Sequence, residues 1–346
     1  MNYTEKILSK VREEKISKSQ GRTLLIDYFY NSEDINTRIR CLWTLDTIIP
    51  IDQKSFEFLE NLLVSDENPK IRIHAAKLLV KYFPNWCFDS FKWVIKKETS
   101  PLVLKEIFYL IEADPNPKIS ELKANIKEWF KVFGKKLGLE PNESRFILDL
   151  EALLASKENS SNILSEALYS FYKVLQEFST PLNWFLIENN HLIELKFNYI
   201  KWKYLKNYSG RREILKKYKD MDMLLSLLLK RELEERCLIQ IPPSISSLKH
   251  LKKLGLSHNN LNTLPASIKS LHSLKYLNLS HNNLGSIPES ILSMKSLRYL
   301  DISYNNIENI PQKIQSLSNL EELRLEGNKF QSIPEFLQNS HLNVVI

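Results

Sequence analysis

Glycine, cysteine and histidine often mark phosphate, redox or metal sites, and their spacing in this chain excludes the common ones. The 346 residues include seven glycines, of which only Gly134 and Gly138 are close, in GKKLG. This spacing fits neither a P-loop nor a dinucleotide-binding loop. Cys41, Cys87 and Cys237 lie far apart and form no CxxC pair. We therefore expect no nucleotide cofactor, no metal site and three free thiols in a reducing compartment.

Patterns typical of a catalytic centre are also missing from the sequence. It contains no HExxH, no GxSxG and no cysteine with a local protease signature. The N-terminal MNYTEKILSK lacks an apolar signal core, and the most apolar run, 221–229, is far shorter than the ~20 residues of a membrane span. These features predict a non-enzymatic, cytoplasmic protein without a transmembrane segment.

A basic and aromatic segment spans residues 196–219. Glu213 is its one acidic residue, so the local charge is +8 against +7 for the whole chain. Interleaved basic and aromatic side chains could bind nucleic acid, anionic lipid or an acidic protein surface. The alternative is a solvated face whose aromatic residues pack inward. The basic residues of this patch are Lys196, Lys201, Lys203, Lys206, Arg211, Arg212, Lys216, Lys217 and Lys219.

The C-terminal third contains a repeat of 23 residues without insertions, in copies that start at Leu248, Leu271, Met294 and Leu317. Each copy contains LxxLxL from its fourth residue, with Ile302 at the last position in the third copy, and this pattern predicts a short strand with one buried face. An asparagine column and an apolar-Pro step follow. The asparagines, suited to satisfy backbone groups where the chain leaves the strand, are Asn259, Asn282, Asn305 and Asn328. A fifth copy begins in SHLNVVI, where the period places Ile346 in register with Leu323.

These columns resemble the leucine-rich repeat family, specifically its 23-residue intracellular type with a PxxI segment, over about 237–346. The resemblance implies a solenoid with a parallel sheet on its concave side. Exposed strand positions on that side carry tyrosine, arginine and acidic residues, and tyrosine and arginine are frequent binding anchors. We predict a partner-binding site of Tyr276, Tyr299, Asp301, Tyr304, Glu322 and Arg324, the alternative being that these side chains only solvate the sheet.

One column of the repeat holds His258 and His281. Stacked strands would bring the two imidazoles about 5 Å apart, which could begin a metal site. The column continues with Tyr304 and Gly327, which supply no good ligand. We therefore expect surface residues here and no metal.

A weaker period of 32 residues runs through the N-terminal third, where Asp34, Asp66 and Glu98 align. The best copy, residues 55–83, reads as a helix, a turn and a second helix with an apolar stripe. This resembles HEAT-type helical repeats, with the acidic turn residue and Arg40 and Arg72 matching that pattern, although Leu104 replaces arginine in the third copy. A generic helical bundle is the alternative.

The sequence thus predicts an α+β repeat protein with three domains. Residues 1–136 are an N-terminal HEAT-like α-solenoid, 137–236 a basic, mainly helical connector, and 237–346 a C-terminal leucine-rich repeat α/β solenoid. Within the connector, HLIELKFNYIKW at 191–202 favours a strand, which could be an early strand of the leucine-rich sheet.

Solenoids present long surfaces for partners, so we predict a non-enzymatic scaffold or adaptor for protein–protein interaction that binds its partner on the concave face. The 23-residue type resembles Ras-suppressor-like proteins, which suggests a small GTPase or its regulator as the partner. The alternative function is binding of nucleic acid or an anionic surface through 196–219.

Overall fold

The structure is a computed structural model that describes residues 2–114, 120–155, 183–197, 238–338 and 342–346. Over these residues the chain is an α+β repeat protein, as the sequence predicts: helices come first, and a seven-stranded sheet follows. The described residues form two compact units. The first contains 2–114, 120–132 and 151–155, and the second contains 133–150, 183–197, 238–338 and 342–346. The three-domain division stays a prediction.

The helices that precede the sheet in the described part are α1 (Tyr3–Arg12), α2 (Lys18–Tyr30), α3 (Ile35–Ile48), α4 (Gln53–Ser65), α5 (Pro69–Tyr82), α6 (Phe88–Lys97), α7 (Pro101–Ala113), α8 (Ser120–Leu137) and α9 (Pro141–Ala155). The local sequence explains where several of these helices begin. Asp52 and Asn68 cap α4 and α5 by accepting backbone N–H groups. Pro69 and Pro101 occupy first positions, where an N–H would have no helical partner. Over the described residues, no helix combines the length and apolarity needed to cross a membrane.

The first unit packs as a row of helices. α2 packs on α3 and α4 on α5, while α3, α5 and α7 lie side by side and α6 lies beside α4. The apolar stripe predicted on the second helix of the best copy is buried: Ile71, Ala75, Leu78 and Leu79 all lie in the core. This packing agrees with the predicted helix–turn–helix copies.

Ion pairs between an arginine and the acidic residue of the next turn connect successive copies. Arg72 on α5 holds Glu98 through both carboxylate oxygens, at 2.8 and 3.1 Å, and both side chains are buried. One copy earlier, Asp66 is held by Arg38. Arg40, which aligns with Arg72 in the sequence, does not form the corresponding ion pair with the next copy. It donates to Thr37 and lies near Asp34 within its own copy.

The second unit is built on one sheet in the order β1-β2-β3-β4-β5-β6-β7. Its strands are β1 (Asn183–Glu188), β2 (His191–Phe197), β3 (Lys253–Gly255), β4 (Tyr276–Asn278), β5 (Tyr299–Asp301), β6 (Glu322–Arg324) and β7 (Asn343–Val345). β1 and β2 form an antiparallel hairpin, and every later pair is parallel. The strand expected in HLIELKF is therefore confirmed, and it pairs with the first leucine-rich strand.

The start of α9 is joined to this hairpin through buried polar contacts. Glu143 accepts the Leu192 N–H at 2.8 Å, and its other oxygen lies 3.2 Å from His191 Nδ1. The Glu140 N–H donates to the carbonyl of Asn190, in a hairpin turn whose Asn189 and Asn190 have left-handed φ of 51° and 63°. Two consecutive asparagines suit this turn because asparagine tolerates positive φ. The described part of the predicted connector thus contains one helix and two strands.

The Pro-x-x-Ile segments form the short 3-10 turns opposite the strands. In each, a proline carbonyl accepts the N–H of the isoleucine three residues later, at 2.9 to 3.1 Å, and that isoleucine is buried. Proline has no N–H to leave unpaired there, and its φ suits the entry to the turn. The proline–isoleucine pairs are Pro242–Ile245, Pro265–Ile268, Pro288–Ile291 and Pro311–Ile314.

The asparagine column satisfies backbone groups as predicted. Asn282 accepts the Leu261 N–H at 3.0 Å and donates to the carbonyls of Leu256 and Leu279, both at 2.9 Å. Asn305 repeats this pattern one copy later, so each buried amide joins two neighbouring copies. The last strand departs from the period: Leu323 pairs with Val344 and not with Ile346, because the connection from β6 to β7 is shorter than those before it.

Candidate functional site

The strands β4 to β6 bring five of the six predicted binding residues onto one face of the sheet, all except Tyr304. Tyr276, Tyr299 and Glu322 are in register on adjacent strands, and two residues further along Asp301 is in register with Arg324. The leucines between them point to the other side and are buried. We call this surface the tyrosine face. Its members on the strands are Glu194, Lys196, Lys253, Tyr276, Asn278, Tyr299, Asp301, Glu322 and Arg324. We include Glu326, which continues the alternation two residues beyond Arg324.

A pair of stacked rings forms the centre of the tyrosine face. The ring centroids of Tyr276 and Tyr299 are 4.3 Å apart, and the planes differ by 6°. The guanidinium carbon of Arg324 lies 5.7 Å from the Tyr299 centroid, and its Nε donates to Glu322 at 2.7 Å. Both rings are half-buried. Such a rigid, amphipathic surface loses little conformational entropy when it binds a partner.

Asp301 lies next to this pair and is buried. Its Oδ1 accepts the N–H of Ser303 at 3.0 Å and the Ser303 hydroxyl at 2.6 Å, and the Tyr299 hydroxyl lies 3.5 Å from Oδ2. Burial raises the pKa of Tyr299 above its usual value, and the negative charge of Asp301 adds to this shift. Tyr299 is therefore a neutral hydrogen-bond donor and acceptor at any physiological pH.

A second aromatic column follows the ends of the strands. The rings of His258 and His281 stack with centroids 4.0 Å apart, and His281 stacks on Tyr304 at 4.3 Å. A Cβ at Gly327 would lie 2.5 Å from the Tyr304 ring, so glycine leaves room for that ring. Burial lowers the pKa of His281, against the opposite effect of Asp301. Within the described residues, no group of His, Cys, Asp or Glu side chains is arranged to hold a metal ion.

Sequence reasoning did not find the backbone conformation of this column. His258, His281 and Tyr304 all have left-handed φ, between 52° and 58°. The sequence feature that could have indicated this conformation is Gly327 in the same column, with φ of 65°, because glycine adopts positive φ without strain. Tyr304 therefore belongs to this second column and is not part of the stacked Tyr276–Tyr299 pair. It remains half-exposed and available for contact.

Sequence reasoning also missed that the face begins one strand earlier, on β2. Glu194 is in register with Lys253, and the Lys253 ammonium lies 2.6 Å from Glu194 Oε1. Lys196, predicted as part of the basic patch, is in register with Gly255 on the same face. Burial lowers the pKa of Lys196, as does nearby Lys253, whereas Glu194 raises it. The other basic-patch residues, 201–219, lie outside the described residues.

A family model described as a leucine-rich repeat region matches residues 227–340. Matching solved structures include a leucine-rich repeat protein of Leptospira interrogans, at 28% identity over 32% of this chain and 29% of that chain, with a TM-score of 0.30. An internalin of Listeria monocytogenes matches at 17% identity over 31% of this chain and 37% of its own, with a TM-score of 0.26. A plant ice-binding protein matches at 32% identity over 30% of this chain and 38% of its own, with a TM-score of 0.27.

This chain thus spans less than two fifths of the length of each of these three structures. Comparison with curated proteins finds no significant match. The family match covers the four repeat copies, the asparagine column and the strands β3 to β6 of the tyrosine face, but not β2. Residues 227–340 are a leucine-rich repeat region, a module that supports protein interaction in general.

Proposed function

We propose that this protein is a non-enzymatic scaffold or adaptor that binds a protein partner on the tyrosine face of its leucine-rich repeat sheet. The observation that carries this proposal is the half-buried, stacked pair Tyr276–Tyr299 with Arg324 beside it. The core of the repeat lies on the opposite side of the sheet, in its buried leucines and isoleucines, so the two tyrosine rings are available for recognition.

The 23-residue intracellular type and the resemblance to Ras-suppressor-like proteins support a small GTPase or its regulator as the partner. A cytoplasmic location belongs to the same proposal. It is supported by Cys41 and Cys87, which are free and buried. Burial raises the pKa of these thiols to about 11 and about 12, which keeps them protonated and unreactive.

The helical copies of the first unit provide a further part of the scaffold, which we assign to the HEAT type. The support is the ladder in which Arg38 holds Asp66 and Arg72 holds Glu98. The alternative function, binding of nucleic acid or anionic lipid through 196–219, concerns residues that lie almost wholly outside the described ones. It remains a prediction from the sequence.

Affinity purification with the full chain tests the proposal. We expect the wild type to retain a defined partner, and Tyr299→Ala to weaken that interaction by about tenfold or more, since central aromatic anchors dominate interface energetics. The matched control is Tyr109→Ala, because Tyr109 is an exposed tyrosine on α7 in the other unit. Equal retention by wild type and Tyr299→Ala would contradict the proposed site, and a partner without relation to small GTPases would remove that part of the proposal.

A further inference from the structure

Three carboxylates on the tyrosine face lack either a hydrogen-bond partner for one oxygen or a nearby cation in the described structure. Glu194 is nine-tenths buried, and its Oε2 has no hydrogen-bond partner in the described structure. Glu326, two residues beyond Arg324, also has a buried Oε2 without a partner there. Asp301 is buried, and no lysine or arginine of the described residues lies within 4 Å of its carboxylate. A buried carboxylate oxygen is costly unless donors or a cation reach it.

The repeat columns show that these charges are not needed for folding. One strand before Asp301, Asn278 performs the same structural task, because its Oδ1 accepts the N–H and the hydroxyl of Ser280 at 2.9 and 2.8 Å. A neutral amide is therefore sufficient at this position. Glu326 likewise continues a column that contains serine in the three preceding copies, at 257, 280 and 303. Glu326 therefore departs from the pattern of its column, and Asp301 carries a charge where a neutral amide serves one copy earlier.

Two of the cations on the face already pair with other carboxylates. Lys253 pairs with the other oxygen of Glu194, and Arg324 donates its Nε to Glu322. Around the last two repeat strands, Asp301, Glu322 and Glu326 outnumber Arg324, although the chain as a whole carries a formal charge of +7. This local excess of negative charge complements a positively charged ligand.

We propose that the partner presents a basic segment to this face, with an arginine or lysine side chain that donates to Asp301 and Glu326 beside the stacked tyrosines. An arginine suits the site better, because its planar, multidentate donors match carboxylates and its face packs on aromatic rings. Charge-assisted hydrogen bonds to the two acids then supply the donor that Glu326 Oε2 lacks and the nearby positive charge that Asp301 lacks among the described residues. This inference rests on the proposed function, since it describes the partner of the same surface.

Phage display of random 12-residue peptides on the immobilised full chain tests the inference. Peptides are kept when their binding is lost on Tyr299→Ala, and their affinities for soluble protein are then measured by calorimetry. We expect the kept peptides to carry a net positive charge with arginine enriched. We also expect Asp301→Asn and Glu326→Gln each to weaken their binding about tenfold, because a buried charge pair loses its partner. Asp301→Asn preserves the turn, as Asn278 shows.

Glu289→Gln is the matched control, because Glu289 is an exposed carboxylate in the Pro288 turn and not on the tyrosine face. It should leave the affinity unchanged. Neutral or acidic peptides that depend on Tyr299, or basic ones that bind the two acid variants as tightly as wild type, would overturn the inference while leaving the proposed site intact. Peptides that bind Tyr299→Ala as well as wild type, or no peptides at all, would count against both.

Discussion

At the scale of single residues, the asparagine column shows how one side chain connects copies of a repeat. Asn282 is buried and bonds to an N–H and to two carbonyls that belong to different copies. The strands β3 to β7 are only three residues long, so few ladder hydrogen bonds hold each copy to the next. The amide therefore replaces hydrogen bonds that a longer strand would supply.

We predict that Asn282→Ala lowers the free energy of unfolding by about 3 kcal/mol, because it leaves buried backbone donors and acceptors without partners. Urea unfolding of the full chain, followed by circular dichroism, measures the change. Asn309→Ala is the control, since Asn309 is exposed, and its effect should stay within about 0.5 kcal/mol. Similar losses for the two variants would show that the column is not structural.

Single residues also show which part of the site could be predicted from the sequence and which could not. The repeat columns predicted one shared face for Tyr276, Tyr299, Asp301, Glu322 and Arg324. Side chains alternate between the two faces along a strand, and a period without insertions keeps that alternation the same in every copy. The period could not show that Asp301 does the work of Asn278 while adding an unneeded charge. That comparison depends on hydrogen bonds to Ser280 and Ser303, which only the structure provides.

At the scale of elements, the ion-pair ladder of the helical unit fixes one copy against the next. Arg72 and Glu98 are each about nine-tenths buried, and Glu98 also accepts the N–H groups of Thr99 and Ser100 at the start of α7. The Glu98 carboxylate thus accepts hydrogen bonds at the start of α7 and also forms the ion pair between two copies. The 32-residue period identified the acidic column and aligned Arg40 with Arg72, but it predicted no partner for Asp66. In the structure Arg38, about half a turn from Arg40 on α3, makes that contact, which depends on packing.

We predict that Glu98→Ala destabilises the first unit by about 3 kcal/mol or more, because it leaves the buried guanidinium of Arg72 without its counter-charge. The control is Glu128→Ala on α8, whose partner Lys131 is as exposed as Glu128 itself, and which should have little effect. Thermal unfolding monitored at the helical circular dichroism band reports both. Equal melting temperatures for Glu98→Ala and wild type would refute the structural importance of the ladder.

Elements outside a repeat were harder to predict than those inside it. β1 and the turn at Asn189 and Asn190 have no counterpart in another copy, so no column could align them. Their position depends on the buried contacts of Glu143 with Leu192 and His191, far apart in the chain. A single buried carboxylate of this kind is not distinguishable in sequence from the many solvated ones.

At the scale of the whole molecule, two kinds of repeat occur in one chain, each with its own core. In both, the buried positions recur with the period and the outer positions vary, which is the general arrangement of repeat proteins that bind partners. The formal charge of +7 describes the chain but not the tyrosine face, where acids prevail around β5 and β6. Recognition therefore has to be argued from the surface and not from the net charge.

The central claim is that the tyrosine face is the surface in contact with a protein partner, and site-specific photo-crosslinking tests it most directly. A photoreactive phenylalanine analogue replaces Tyr276 in one version of the full chain and Lys313 in another, and both are expressed in cells that naturally make the protein. Lys313 is the control because it is exposed in a Pro-x-x-Ile turn. We predict a discrete crosslinked protein from position 276 and none from 313. Crosslinks from 313 with none from 276 would contradict the account.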